Sequence, residues 1–178
     1  LISVNWLVFI WAINSERVLE TSLGYYINPL VSVFLATVVL KESLNRLQLL
    51  AIGIAALGVL NQLLMFGQAP WVALTLAFSF GGYGLVRKKI DVDPFVGLTV
   101  ETLILMPIAI GYLIVLQSSG EGVFLKLNTN LDILLVLSGA VTAFPLIVFA
   151  AAAKRLTLTA LGLFQYLYSY LPLSSIVL

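Results

Sequence analysis

The chain has 178 residues, of which 61% are apolar and only 10% charged. A soluble domain carries about 45–50% apolar and about 25% charged residues, so a fold bounded by water is excluded and lipid is the expected surrounding. A net charge of +1 gives no polyelectrolyte case for nucleic acid, and with neither Cys nor His there is no disulfide, no thiolate chemistry and no imidazole for a metal or a proton.

Charges and turn residues divide the sequence into seven apolar blocks, residues 1–13, 19–40, 47–66, 70–86, 95–116, 131–153 and 156–178. The first is too short to span and shows neither the basic leader nor the cleavage site of a signal peptide. A helix needs about 20 apolar residues to cross a hydrocarbon core of about 30 Å. Five of the six later blocks meet that length, and 70–86 stands at the short limit. Lipid offers the backbone no hydrogen bonds, and the blocks lack the alternation of barrel strands, so they are expected to be helices. The expected fold class is an all-α membrane protein, a multi-spanning helix bundle forming one integral membrane domain. Residues 66–70 read as a tight Gly/Pro turn and 117–130 as a long solvated loop.

If consecutive blocks cross in alternate directions, Lys41, Arg46, Arg87, Lys88, Lys89, Lys154 and Arg155 gather on one side, and only Arg17 and Lys126 on the other. The positive-inside bias makes the first side cytoplasmic. Block 19–40 then runs from outside to inside, and 156–178 from inside to outside.

Block 19–40 is broken by Asn28-Pro29. Proline removes a backbone donor and bends the helix. Asn28 lies about 14 Å along the block, close to the midplane. Thr21, Tyr25, Asn28 and Ser32 share one helical face. Such a stripe is expected to face other helices or a cavity; a packing interface sealed by hydrogen bonds is the alternative. Glu20, at the outer rim, reads as interfacial, and so does Asn61-Gln62. Gly81-Gly82-Tyr83-Gly84 reads as close helix packing, Arg87-Lys88-Lys89 as a topology signal, and Trp6, Trp11 and Trp71 as packing or interfacial rings without chemistry. Glu101 lies about 9–10 Å inside block 95–116, where a carboxylate is costly unless paired or protonated. It is a candidate for proton coupling or for contact with a substrate amine, against a shallow Glu paired with Arg87 or Lys88.

An internal repeat links the two ends. Arg17-Val-Leu-Glu-Thr-Ser-Leu-Gly24 aligns with Arg155-Leu-Thr-Leu-Thr-Ala-Leu-Gly162 at an offset of 138 residues, with Arg, Thr, Leu and Gly identical. Five helices separate the copies, and an odd number inverts the second, a plan common in secondary transporters. Gln165 and Tyr166 fall at a depth similar to Asn28. A cavity between the two helices would be lined by amide and phenol groups, suited to a neutral or zwitterionic small molecule, with interhelical hydrogen bonding as the alternative. There is no catalytic triad, metal-ligand spacing or phosphate loop, so an enzyme is not expected and no cofactor or metal is implied.

Several stretches resemble a known family. Asn5-Trp6-Leu7-Val8-Phe9-Ile10-Trp11-Ala12, Leu23-Gly24-Tyr25-Tyr26-Ile27-Asn28-Pro29-Leu30, the run from Ala77 to Lys89, Glu101-Thr102 with Pro107, and Leu161-Gly162-Leu163-Phe164-Gln165-Tyr166 are similar to RarD-type permeases. These belong to the EamA group of the drug/metabolite transporter superfamily. The resemblance covers roughly residues 3–167. It implies ten helices in two inverted repeats of five, of which this chain would hold the third to the ninth. It further implies a multi-pass permease of the bacterial inner membrane, moving small metabolites or drugs, with a link by name to chloramphenicol sensitivity. Lipid and a small-molecule substrate are the implied partners, proton coupling is a family-level expectation, and pairing of two copies is a candidate assembly. Asn28, Pro29, Glu101, Gln165, Tyr166 and Tyr25 are the candidate substrate or coupling residues. A non-transporting structural subunit is the rival. After Tyr166 the chain departs from the family pattern, reading Leu167-Tyr168-Ser169-Tyr170-Leu171-Pro172 where Pro-Thr and a Leu/Phe-rich helix are expected. That departure points to a broken reading frame near position 168 and puts transport by this stretch alone in doubt.

Overall fold

The structure, a computed structural model, describes residues 1–67, 69–120 and 129–174, with backbone alone at 66 and 167–174. Every described element is helical: α1 Ile2–Asn14, α2 Val18–Val39, α3 Arg46–Phe66, α4 Trp71–Lys89, α5 Pro94–Ser118, α6 Thr129–Arg155 and α7 Leu158–Ser174. The side chains at the departure expected from residue 168, and residues 121–128 of the long loop, lie outside what is described.

Local chemistry sets the helix ends. Asn45 and Gln48 form a reciprocal capping box at the start of α3, and Gly67, at φ 67°, ends it in the left-handed conformation. Asp93 accepts hydrogen bonds from Phe95 N and Val96 N, with Pro94 at the first helical position of α5, where a missing N–H costs nothing. α4 continues through Arg87, Lys88 and Lys89, because cations at a helix C-terminus oppose its dipole.

By length and composition α2, α3, α5 and α6 can each cross a membrane. α1, at 13 residues, is apolar but short. α4, with its Ser, Thr and Gly content and basic end, falls outside that set, as does α7, whose described part has 17 residues.

The chain divides into two compact units, Leu1–Ile90 with Ala153–Leu178, and Asp91–Ala152. In the first, α2 is the hub, packed against α4, α7, α1 and α3. α4 runs parallel to α2: a Cβ at Gly24 would meet Ala73 Cα at 3.3 Å, and one at Gly81 would meet Val31 Cγ1 at 3.0 Å. The Gly81 patch therefore admits a neighbouring helix, as its composition suggests. α7 runs antiparallel to α2, since Glu42 beyond the end of α2 meets Leu158 at the start of α7, while Tyr26 meets Tyr166. The helices that begin with the two copies of the sequence repeat thus run in opposite directions, with the copies at opposite ends of the unit. The core of this unit is Leu23, Ile27, Val31, Val59, Ala73 and Ala77. In the second unit α5 and α6 expose Ile104, Ile108, Val136, Val141 and Phe144, an apolar surface that only lipid or further protein can cover.

Candidate functional site

The site is built around Pro29, inside the continuous helix α2. Pro29 has no N–H, so the carbonyl of Tyr25 cannot receive its usual helical hydrogen bond. The next carbonyl, Tyr26 O, accepts one from the Tyr166 hydroxyl of α7 at 3.0 Å. Two residues on, Asn28 Nδ2 donates to Gln165 Oε1 at 2.9 Å. The helices come this close because Gly162 has no side chain: a Cβ there would meet Pro29 O at 3.0 Å and Ser32 Cβ at 3.2 Å.

Asn28 is 8% exposed and Ser32 3%, and Asn28 Oδ1 is buried and accepts no hydrogen bond among the described residues. A buried amide oxygen without a donor is unfavourable by about 1–3 kcal/mol. The seam can therefore receive an N–H or O–H from a further group. Of the predicted residues, Asn28, Pro29, Gln165 and Tyr166 are brought together here.

Tyr25 is a correction. Of the predicted stripe, Thr21, Asn28 and Ser32 are buried, but Tyr25 is 57% exposed, edge-on to Phe9. Gly24 and Val31 face α4. At 100° per residue Tyr25 falls between Ser32 and Ala36, both buried, so its exposure follows from its position along α2 and not from its angle. Glu101 lies half-buried on α5, in the second unit.

Glu20, read as interfacial from its depth, is 4% exposed, and its Oε1 lies 2.7 Å from Arg17 Nε.

A polar clamp that the sequence did not reveal lies at the basic end. Lys41 turns the chain at φ 55°, and Glu42 N then reaches Ala36 O at 3.1 Å. The Glu42 carboxylate accepts Leu158 N at 2.9 Å and Thr159 N at 3.0 Å, capping the first turn of α7 from the loop after α2. Lys88 Nζ donates to the carbonyls of Leu156, in the linker that feeds α7, and Ala153, in the last turn of α6. Arg87 is buried, with Nε donating to Tyr83 Oη at 3.0 Å. Basic residues of the loop after α2, the end of α4 and the end of α6 thus share one end of this unit. No spacing in the sequence pairs Glu42 with a helix that starts more than a hundred residues later.

Burial pushes the Glu42 carboxyl up, but the Thr159 and Leu158 amides, the Thr159 side chain and Lys88 together hold it below its usual value. A depressed folded-state pKa contributes stability above the unfolded value, and that contribution is lost as pH falls through the folded one. Glu42→Gln is therefore expected to lower unfolding free energy by about 0.5–2 kcal/mol at pH 7, the range for a lost cap. The gap from wild type should close as the pH falls below 4.5, the usual value of the group. Unfolding followed by circular dichroism at several pH values checks this; a gap that is independent of pH would mean the cap does not depend on charge.

The first 63 residues match the family model described as the EamA-like transporter family, over residues 1–63. The chain is 51% identical over 170 residues to "Uncharacterized transporter YojE" of Bacillus subtilis, covering 94% of this chain and 55% of that protein. It is 49% identical over 167 residues to "Protein RarD" of Escherichia coli, covering 94% of this chain and 56% of that one. An "Uncharacterized transporter" of Pseudomonas aeruginosa is 44% identical over 178 residues, the whole of this chain and 60% of its own. No solved structure matches. The chain spans little more than half the length of these relatives. With its apolar helices and these matches, the chain is a multi-pass membrane protein, similar to the EamA-like transporter family over its first 63 residues and to these transporters over nearly its whole length.

Proposed function

We propose that the chain forms the central part of a permease that moves small metabolites or drugs across the bacterial inner membrane by alternating access, with substrate held against the α2–α7 seam. The observation that carries this reading is the buried Asn28 Oδ1, left without a donor in a cluster that also holds Gln165 and Tyr166. The lining is amide, hydroxyl and phenol, which fits a neutral or zwitterionic molecule carrying an N–H or O–H. Helices antiparallel about this point are the geometry expected of inverted repeats, whose substrate sites lie at the midplane between them. The names of the relatives support transport as the class of activity. Glu101, on α5, is the proposed proton-coupling carboxylate.

The test is accumulation of labelled chloramphenicol in cells, with residues 1–166 grafted into the full-length framework of the E. coli relative. The unaltered graft is expected to change accumulation relative to vector, and Glu101→Gln to remove most of that change at equal membrane abundance. A graft indistinguishable from vector would remove chloramphenicol as substrate. An active graft untouched by Glu101→Gln would remove the coupling role.

A further inference from the structure

At the opposite end from the basic cluster, the turn between α1 and α2 holds a second polar constellation. The chain reverses tightly there: Glu16 sits at φ 59°, and Arg17 N donates to Ala12 O at 2.8 Å. The turn places the Arg17 guanidinium 5.7 Å from the Trp11 ring centroid and 5.2 Å from that of Trp71. The two indoles lie 5.4 Å apart at 41°. Arg17 Nε also meets Glu20 Oε1 at 2.7 Å. The second oxygen, Glu20 Oε2, is buried and accepts no hydrogen bond among the described residues.

The burial is uneven in an informative way. The anion is nearly sealed, at 5% side-chain exposure, while the cation is 30% exposed. Both indoles and the carboxylate are carried by helices; the cation stands at the first residue before α2, on the turn. α1 bears no charged residue, and those of α4 lie at its far end. Glu16, exposed on the turn itself, is the remaining charged neighbour in sequence.

We propose that Trp11, Trp71 and Glu20 form a binding site for a small organic cation carrying N–H groups, a guanidinium or primary ammonium, which Arg17 occupies here as a tethered stand-in. Indole faces attract a cation through their quadrupole, and a partly desolvated site strengthens that attraction. Glu20 Oε2 supplies an acceptor that Arg17 does not use. Arg17 and Glu20 cancel in charge, so a second cation enters only as Arg17 swings out to solvent. Binding is thus a competition between a ligand and the chain's own side chain. The alternative is a fixed interfacial anchor from which Arg17 is never displaced.

The experiment is tryptophan fluorescence of the purified chain in detergent, titrated with methylguanidinium chloride at constant ionic strength, with methylurea as the neutral probe of the same shape. Wild type is expected to give a saturable change with methylguanidinium and none with methylurea. Glu20→Gln should weaken the response at least tenfold. Arg17→Lys, whose ammonium lacks the planar fork, should tighten it several-fold. No saturable change in the wild type, an equal response to methylurea, or equal affinity in wild type and Glu20→Gln would overturn the proposal. The wild-type arms decide the matter if either variant fails to fold, and the readout does not depend on transport.

Discussion

Asn28→Leu is expected to destabilise the first unit by about 1–3 kcal/mol and to abolish transport in the grafted protein. The variant removes the donor to Gln165 Oε1 and leaves that half-buried oxygen beside an apolar side chain. The informative comparison is Asn28→Leu with Gln165→Leu. Replacing both partners of a buried hydrogen bond by apolar groups of similar shape is often close to neutral, so most of the lost stability should return. Transport should not return, because the polar lining is gone. Denaturant unfolding and accumulation, measured on both variants, separate the two readings of the stripe. If the double variant recovered transport as well as stability, Asn28 and Gln165 would be a seal between helices and the pathway would lie elsewhere.

Gly162→Val should cost as much through a different route. The added Cβ meets the Pro29 carbonyl at 3.0 Å, and that neighbour is backbone inside a central helix. It cannot turn aside as a flexible side chain could. Overpacking of this kind costs about 1–3 kcal/mol, sometimes more. The displacement of α7 should also break the Tyr166 contact to Tyr26 O. Gly53→Val on α3 is the control, since a Cβ there meets nothing within 4 Å. A valine replacing glycine in an exposed helix interior should fall within about 0.5 kcal/mol of neutral. Equal losses at the two positions, in thermal unfolding, would show that the α2–α7 approach is looser than the geometry requires.

The helices themselves were legible because lipid enforces them. Block 19–40 became Val18–Val39 and block 47–66 became Arg46–Phe66, since hydropathy and chain charges mark both ends. The boundary of α4 was misplaced for the same reason: three basic residues ended the apolar block, but they do not end a helix whose C-terminus favours cations. Asn28, Gln165 and Tyr166 could be read as a group because the repeat aligned their helices. Tyr25 was misplaced because angular spacing defines a face without saying how far along the helix that face is covered; Tyr25 shares its face with Asn28 and Ser32, which are buried. Glu20 seemed interfacial from its depth alone. Its burial depends on a turn that brings Arg17, Trp11 and Trp71 together from three segments. Glu42 escaped altogether, because its role exists only once α7 arrives.

That late arrival has a consequence for how the protein is made. The Asn28 amide and its partner are separated by 137 residues. At about 5–20 residues per second of synthesis, α2 waits roughly 7–27 s in or near the membrane before Gln165 exists. Through that interval a polar group at mid-helix and the Glu42 carboxylate have no α7 to bind, while α4 is already available to cover Gly24. α2 and α4 would therefore settle first, side by side and parallel, leaving an open trough along one flank. The last helix completes the protein by closing that trough, so a ribosome halted before residue 158 would release a nascent chain whose polar seam stands open to whatever the membrane or a chaperone offers.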